Sequence, residues 1–229
     1  MTVRPTLRSR PLAALGLAAG LLLAGCGGSA EADSASGSGS GSGHDHAAGE
    51  APATVSGPSN PYDGLYLQDP YQKPQFTLTD QTGAAYDFAA RTADGPTLLF
   101  FGYTNCPDIC PTTMADVAIA LQTVDQDVAE KTHVVFVTTD PARDSSPVLG
   151  EYLARFGTGV APAIVGLTGD QSQIDAAQLA AGVPLAEEMG QQHSSLLLLY
   201  GADGEASVAF DAGNTSRDIA HDLALVAAE

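Results

Sequence analysis

Cys106 and Cys110 are the residues whose type and spacing most directly allow chemistry in this 229-residue chain. Three residues separate them in the run Phe100-Phe101-Gly102-Tyr103-Thr104-Asn105-Cys106-Pro107-Asp108-Ile109-Cys110-Pro111. Sulfurs at i and i+4 fall on one side of a helical turn, where one metal ion or one disulfide can join them. The apolar run starting at Thr97 reads as a buried strand that breaks at Gly102. Pro111 suits the first turn of a helix, where its missing N–H costs nothing, so a helix is expected over about 111–128. The start of a helix carries partial positive charge, which should favour thiolate over thiol at both cysteines.

The elements that must position this pair can be read from hydrophobic patterning. Residues 76–80 and 85–88 flank Gln81-Thr82-Gly83 and read as a hairpin. Further strands are expected at 97–101, at the β-branched run 132–138, and at 163–167, 194–200 and 206–210. Thr139-Asp140-Pro141 reads as a turn, because Asp and Pro both disfavour continuing a strand. Helices are expected at 146–156, capped by Ser145 or Ser146 and stopped by Gly157, at about 171–181, and after Thr215, with Asp218 three residues on. Strand–helix alternation closed by a hairpin and a helix makes an α/β domain with a mixed central sheet and flanking helices. With a cysteine pair between the first buried strand and the first helix, this order resembles the thioredoxin fold. The hairpin in front is an N-terminal extension, and 163–181 is a second elaboration.

Composition narrows the function. Formal charge is −18, and residues 1–25 carry Arg4, Arg8 and Arg10 with no acidic residue, so removal of that segment leaves −21. A surface so acidic repels nucleic acid and anionic lipid and favours cationic partners or metal ions. Segment 1–25 has a positive beginning, a short apolar stretch from Pro11 to Leu23 and small residues at its end, the proportions of a signal peptide. Cys26 directly after Leu23-Ala24-Gly25 resembles the bacterial lipobox, in which that cysteine is lipidated and becomes the mature N-terminus. The plainer reading is an ordinary secretory signal. The lipobox divides the three cysteines into one anchor and one pair, and it places the domain on the extracytoplasmic face of the cell membrane. Residues 26–61 then form a Gly/Ser/acidic linker with a root-mean-square span of roughly 30–35 Å, and 62–229 the folded domain. His44 and His46 in the linker could catch a divalent metal; two polar residues in a solvated tail is the equal alternative.

Three markers occur in order along the domain. The segment 102–111 with its two cysteines is followed by Asp140-Pro141-Ala142-Arg143-Asp144 and by His193-Ser194 opening a strand. Together they resemble the Sco/SenC family of copper-delivery proteins over roughly 65–229. The resemblance implies one copper ion per domain, held by Cys106, Cys110 and His193. It further implies delivery to the cytochrome c oxidase subunit that carries the binuclear copper centre, with another extracytoplasmic copper carrier as a second potential partner. Residues 189–192, Met-Gly-Gln-Gln, depart from the tyrosine and basic or aliphatic residues of many members, which leaves the histidine's surroundings open. The chemistry suits copper: two thiolates satisfy soft Cu(I), and an imidazole nitrogen serves Cu(II).

Asp140 could hydrogen-bond a ligand or only make an Asp-Pro turn, and both readings stand. His133 and His221 lack such company and read as structural, Met114 as core and Met189 as a loop residue. Three functions remain in play. One is a copper metallochaperone. The second is a thiol–disulfide oxidoreductase that reduces the target's cysteines, with Cys106 attacking and Cys110 resolving. The third is a structural disulfide, against which stands the short loop it would close.

Overall fold

The computed structural model describes residues 60–157, 159, 163–187 and 190–229. The signal segment, Cys26, most of the linker with His44 and His46, and Met189 lie outside the described residues.

Eight strands make one sheet among the described residues, in the order β1-β8-β7-β4-β5-β6-β2-β3. They are β1 (Leu65–Gln72), β2 (Thr77–Asp80), β3 (Ala85–Asp87), β4 (Thr97–Gly102), β5 (His133–Thr138), β6 (Val165–Thr168), β7 (Leu197–Tyr200) and β8 (Glu205–Phe210). β4, β5 and β6 run parallel, and the remaining neighbours are antiparallel. This is the mixed sheet that the patterning leads one to expect, with β2 and β3 as the added hairpin.

The helices are α1 (Phe88–Arg91), α2 (Ile109–Thr123), α3 (Gln126–Lys131), α4 (Ser146–Leu153), α5 (Gln171–Ala180) and α6 (Ser216–Val226). Every residue of β4 is buried, because its neighbours pair both edges and side chains from helices cover both faces. Strand alternation sends Leu98 and Phe100 to one core, shared with Met114, Val117 and Leu121 of α2 and Leu223 of α6. Leu99 and Phe101 enter the other, with Phe88 of α1 and Ile174 of α5. Burying each such Leu or Phe contributes roughly 1.5–3 kcal/mol relative to exposure, so β4 is a rigid base for the Cys106 loop at its end.

Several boundaries differ from the sequence reading. The helix expected over 111–128 is two helices: α2 starts at Ile109 and stops at Val124, whose backbone is extended, and Asp125 begins α3. A β-branched valine followed by an aspartate, which favours caps over helix interiors, ends one helix and starts the next. The strands at 163–167 and 194–200 begin later than expected, and α4 ends earlier. α6 carries the expected capping box, Thr215 and Asp218 each satisfying the other's backbone N–H.

Candidate metal and thiol site

The site forms where three neighbouring strands meet the same end of the sheet. β4 delivers the Cys106 loop from its C-terminal end, the parallel β5 delivers the turn 139–144, and the antiparallel β7 is entered from His193. Ligand sites of parallel sheets favour this edge, outside the carboxyl ends of the strands.

The two sulfurs have different surroundings. Cys110 occupies the first turn of α2 and is 0% exposed, packed in the core with Phe100 and Met114. Cys106 precedes the helix, is half-buried, and its Sγ accepts the Cys110 N–H at 3.3 Å. That bond uses one of the donors a helix start leaves without a partner, at a helix whose Asp108 cap makes no side-chain bond. The expectation that the helix would favour thiolate at both cysteines fails at Cys110. Burial pushes its thiol well above the usual range, with the neighbouring Cys106 adding to the effect, and this outweighs the helix dipole. Gly102 makes room for that sulfur: a Cβ there would sit 2.9 Å from Cys110 Sγ and 2.8 Å from Phe100 Cε1.

His193 meets the pair from the third strand. Its Nδ1 lies 2.8 Å from the Ser194 carbonyl oxygen, so Nδ1–H donates there and Nε2 carries the lone pair. That Nε2 stands 3.5 Å from Cys110 Sγ. The imidazole lies edge-to-face with Phe100 and Tyr103, at centroid distances of 6.1 and 5.6 Å. Burial lowers its pKa below 6.5, which keeps the ring neutral and able to ligate. Cys106, Cys110 and His193 thus place one potential ligand atom each within 4.8 Å of one another. Both cysteines are free thiols in this structure. A cleft of about 670 Å³ opens over Cys106 and His193, bounded by Tyr103, Ile109, Leu185 and Glu187. The sequence motifs therefore converge on one open, soft-ligand site.

The other candidates separate from it. Asp140 is buried and its carboxylate pairs with the Arg143 guanidinium, while its carbonyl oxygen accepts the N–H groups of Arg143 and Asp144. It is a turn residue that holds Arg143. Met114 is core, His133 pairs with Asp94 on the surface, and His221 hydrogen-bonds Asp222. Asp63, His221 and Asp222 form a second close group. There both Asp222 oxygens already accept backbone N–H groups, from Asp63 and Gly64, each at 2.8 Å, so the group reads as a tether for the start of the domain.

Asp144 carries no individual role in the sequence reading. Its buried carboxylate accepts the Thr104 N–H at 2.9 Å and the Thr104 hydroxyl at 2.6 Å, two residues before Cys106. Forty positions separate these partners, and no local spacing rule links them.

The family model described as SCO1/SenC matches residues 66–228. The chain belongs to the SCO1/SenC family. Protein SenC of Rhodobacter capsulatus is 40% identical over 105 residues, covering 44% of this chain and 43% of SenC. The matched region thus spans less than two thirds of that curated relative's own length. Among solved structures, copper-bound ScoI of Bradyrhizobium japonicum is 31% identical with a TM-score of 0.57, covering 68% of this chain and 99% of ScoI. BsSco is 25% identical with a TM-score of 0.53, covering 73% of this chain and 97% of BsSco. It is a member of the Sco family of cytochrome c oxidase assembly proteins in which a disulfide switch was identified. These SCO1/SenC likenesses agree with the thioredoxin-like α/β architecture.

Proposed function

We propose that this SCO1/SenC protein is a copper metallochaperone that delivers copper to the binuclear copper centre of cytochrome c oxidase. The observation that carries the reading is the convergence of Cys106, Cys110 and the Nε2 lone pair of His193 within 4.8 Å beside an open cleft. Two sulfurs and one imidazole suit both copper oxidation states, and the open side lets a target protein's ligands exchange with Cys106 and His193 first. The copper-bound ScoI neighbour supports the choice of metal. Lipidation at Cys26 would hold the domain at the extracytoplasmic membrane face, where an oxidase subunit or another copper carrier can reach it.

The test is a titration of the reduced full chain in detergent with Cu(I) and with Cu(II). One equivalent of each should bind, and Cu(II) should give sulfur-to-copper charge-transfer bands that Cys106→Ser abolishes. His193→Ala should weaken Cu(II) far more than Cu(I), since two thiolates still serve the softer ion. Equal loss of both ions, or of neither, would sink the assignment of His193.

A second reading draws on the unequal cysteines. Cys106 is the accessible sulfur and Cys110 the buried one, the arrangement of an attacking and a resolving thiol. Cys106 thiolate would attack a target disulfide, expelling one target thiolate. Cys110 would then attack Cys106 in the mixed disulfide, releasing the second and leaving Cys106–Cys110 oxidised. The disulfide switch of BsSco supports this alternative. No specific copper uptake, together with a readily reducible Cys106–Cys110 disulfide, would favour it.

A further inference from the structure

The Cys106 arm and the His193 arm come from strands far apart in sequence, yet both are tied to one short stretch after β5. Thr138, Thr139 and Asp144 are each 0% exposed. On the cysteine side, Asp144 accepts both the N–H and the hydroxyl of Thr104. The same carboxylate accepts the Thr138 hydroxyl at 2.7 Å, and Thr138 Oγ1 in turn accepts the Asp140 N–H at 3.0 Å. On the histidine side, Thr139 Oγ1 lies 2.8 Å from the Gly190 carbonyl oxygen and 3.2 Å from that of Gly102. The Thr139 N–H also donates to the Gly102 carbonyl at 2.7 Å. Gly190 has φ +87°, and a Cβ there would come within 2.1 Å of the Thr139 carbonyl oxygen. Backbone thus lies directly on backbone where the His193 arm crosses the turn. The Glu187–Gln192 bridge closes that arm one residue before the histidine.

We propose that Asp144 and Thr139 are positioning residues that hold the two ligand arms at a fixed separation, Asp144 through Thr104 and Thr139 through Gly190. Neither touches a ligand atom. Both act through main chain that leads, within three residues, to Cys106 or His193. The group is buried, and its hydrogen bonds are made to a carboxylate or inside the protein, where they are stronger than in water and costly to break. The clamp would give a soft-ligand site open on one side a separation between its arms that is set by the protein's own hydrogen bonds. It deepens the copper reading, but its geometry does not depend on which ion binds.

The experiment uses the full chain in detergent, reduced and metal-free. Cys106 alkylation is followed by peptide-resolved mass spectrometry, and hydrogen exchange is read over 104–106 and over 190–193. Asp144→Ala should raise Cys106 alkylation and exchange at 104–106 about tenfold, the scale of one lost buried hydrogen bond to a charge, and leave 190–193 near wild type. Thr139→Val should do the reverse. Asp144→Asn and Thr139→Ser, which keep an oxygen at the bonding position, should restore most of the protection. Leu223→Ala, a core truncation on α6, supplies a control of matched thermal stability loss. If Asp144→Ala and Thr139→Val loosen both arms to the same extent as this control does, or if they lower only the melting temperature, the clamp is wrong. Loss of Cu(II) charge-transfer intensity in both clamp variants would add support. Failure of the wild type to take up copper would overturn the proposed function alone, because the metal-free readouts still decide the clamp.

Discussion

At the scale of single residues, the site depends on one missing side chain as much as on three present ones. Gly102 ends β4 directly beneath the Cys110 sulfur, and a methyl there would collide with Cys110 Sγ, Phe100 and Phe136. Gly102→Ala should therefore cost about 1–3 kcal/mol of stability, as overpacking of a dense core does. It should also distort metal binding while sparing Cys106 alkylation; denaturant unfolding and the Cu(II) spectrum check both. The three candidate ligand residues are legible in the sequence, because cysteine spacing and an ordered set of motifs are local signals. It does not show the unequal thiols, since burial of Cys110 depends on Phe100, Met114 and Phe136 arriving from three elements. The bond between Asp144 and Thr104 is illegible for the same reason: the contact exists only once β4 and β5 lie side by side.

At the scale of elements, patterning finds the buried strands and the capped helices, where periodicity and capping residues are strong. It misses β1, whose middle holds Asp69-Pro70, two residues that strands disfavour. β1 tolerates the proline as an edge strand: its pairing with β8 jumps from Tyr66↔Val208 to Tyr71↔Ala206, and the irregularity absorbs Pro70. It misses α1 as well, a four-residue helix too short for any period to register. At the other end of the fold, α6 carries a pH-sensitive contact. The Asp222 hydrogen bond, helped by the charge of Asp63, raises the pKa of His221 above 6.5. A raised value in the folded state means that the pairing adds stability fully below pH 6.5 and loses it as pH rises through the folded value. The stability difference between wild type and His221→Gln should thus be largest near about pH 5.5 and fade by about pH 8.5 in chemical denaturation. A flat difference across that range would show that the pairing does not contribute.

At the scale of the whole molecule, charge sets who can approach. Net charge of −18, with three of the nine basic residues before Cys26, makes the domain a poor partner for anions and an attractive one for cations. No helix among the described residues is long and apolar enough to cross a membrane. The proposed membrane attachment through Cys26 makes a sharp prediction of its own: Cys26→Ser should move the protein from the membrane to the soluble fraction with copper affinity unchanged. Retention in the membrane would refute the lipid anchor. Finally, the hydrogen bond from His193 Nδ1 to the Ser194 carbonyl bears on thermodynamics. The imidazole already carries its proton on the far nitrogen, so a metal arriving at Nε2 displaces none from it. The buried Cys110 thiol, by contrast, is protonated near neutrality and must give its proton up to become a ligand. Loading is thus an acid-releasing reaction whose measured heat varies with the ionisation enthalpy of the buffer, and acidification alone opposes it by returning that proton to sulfur.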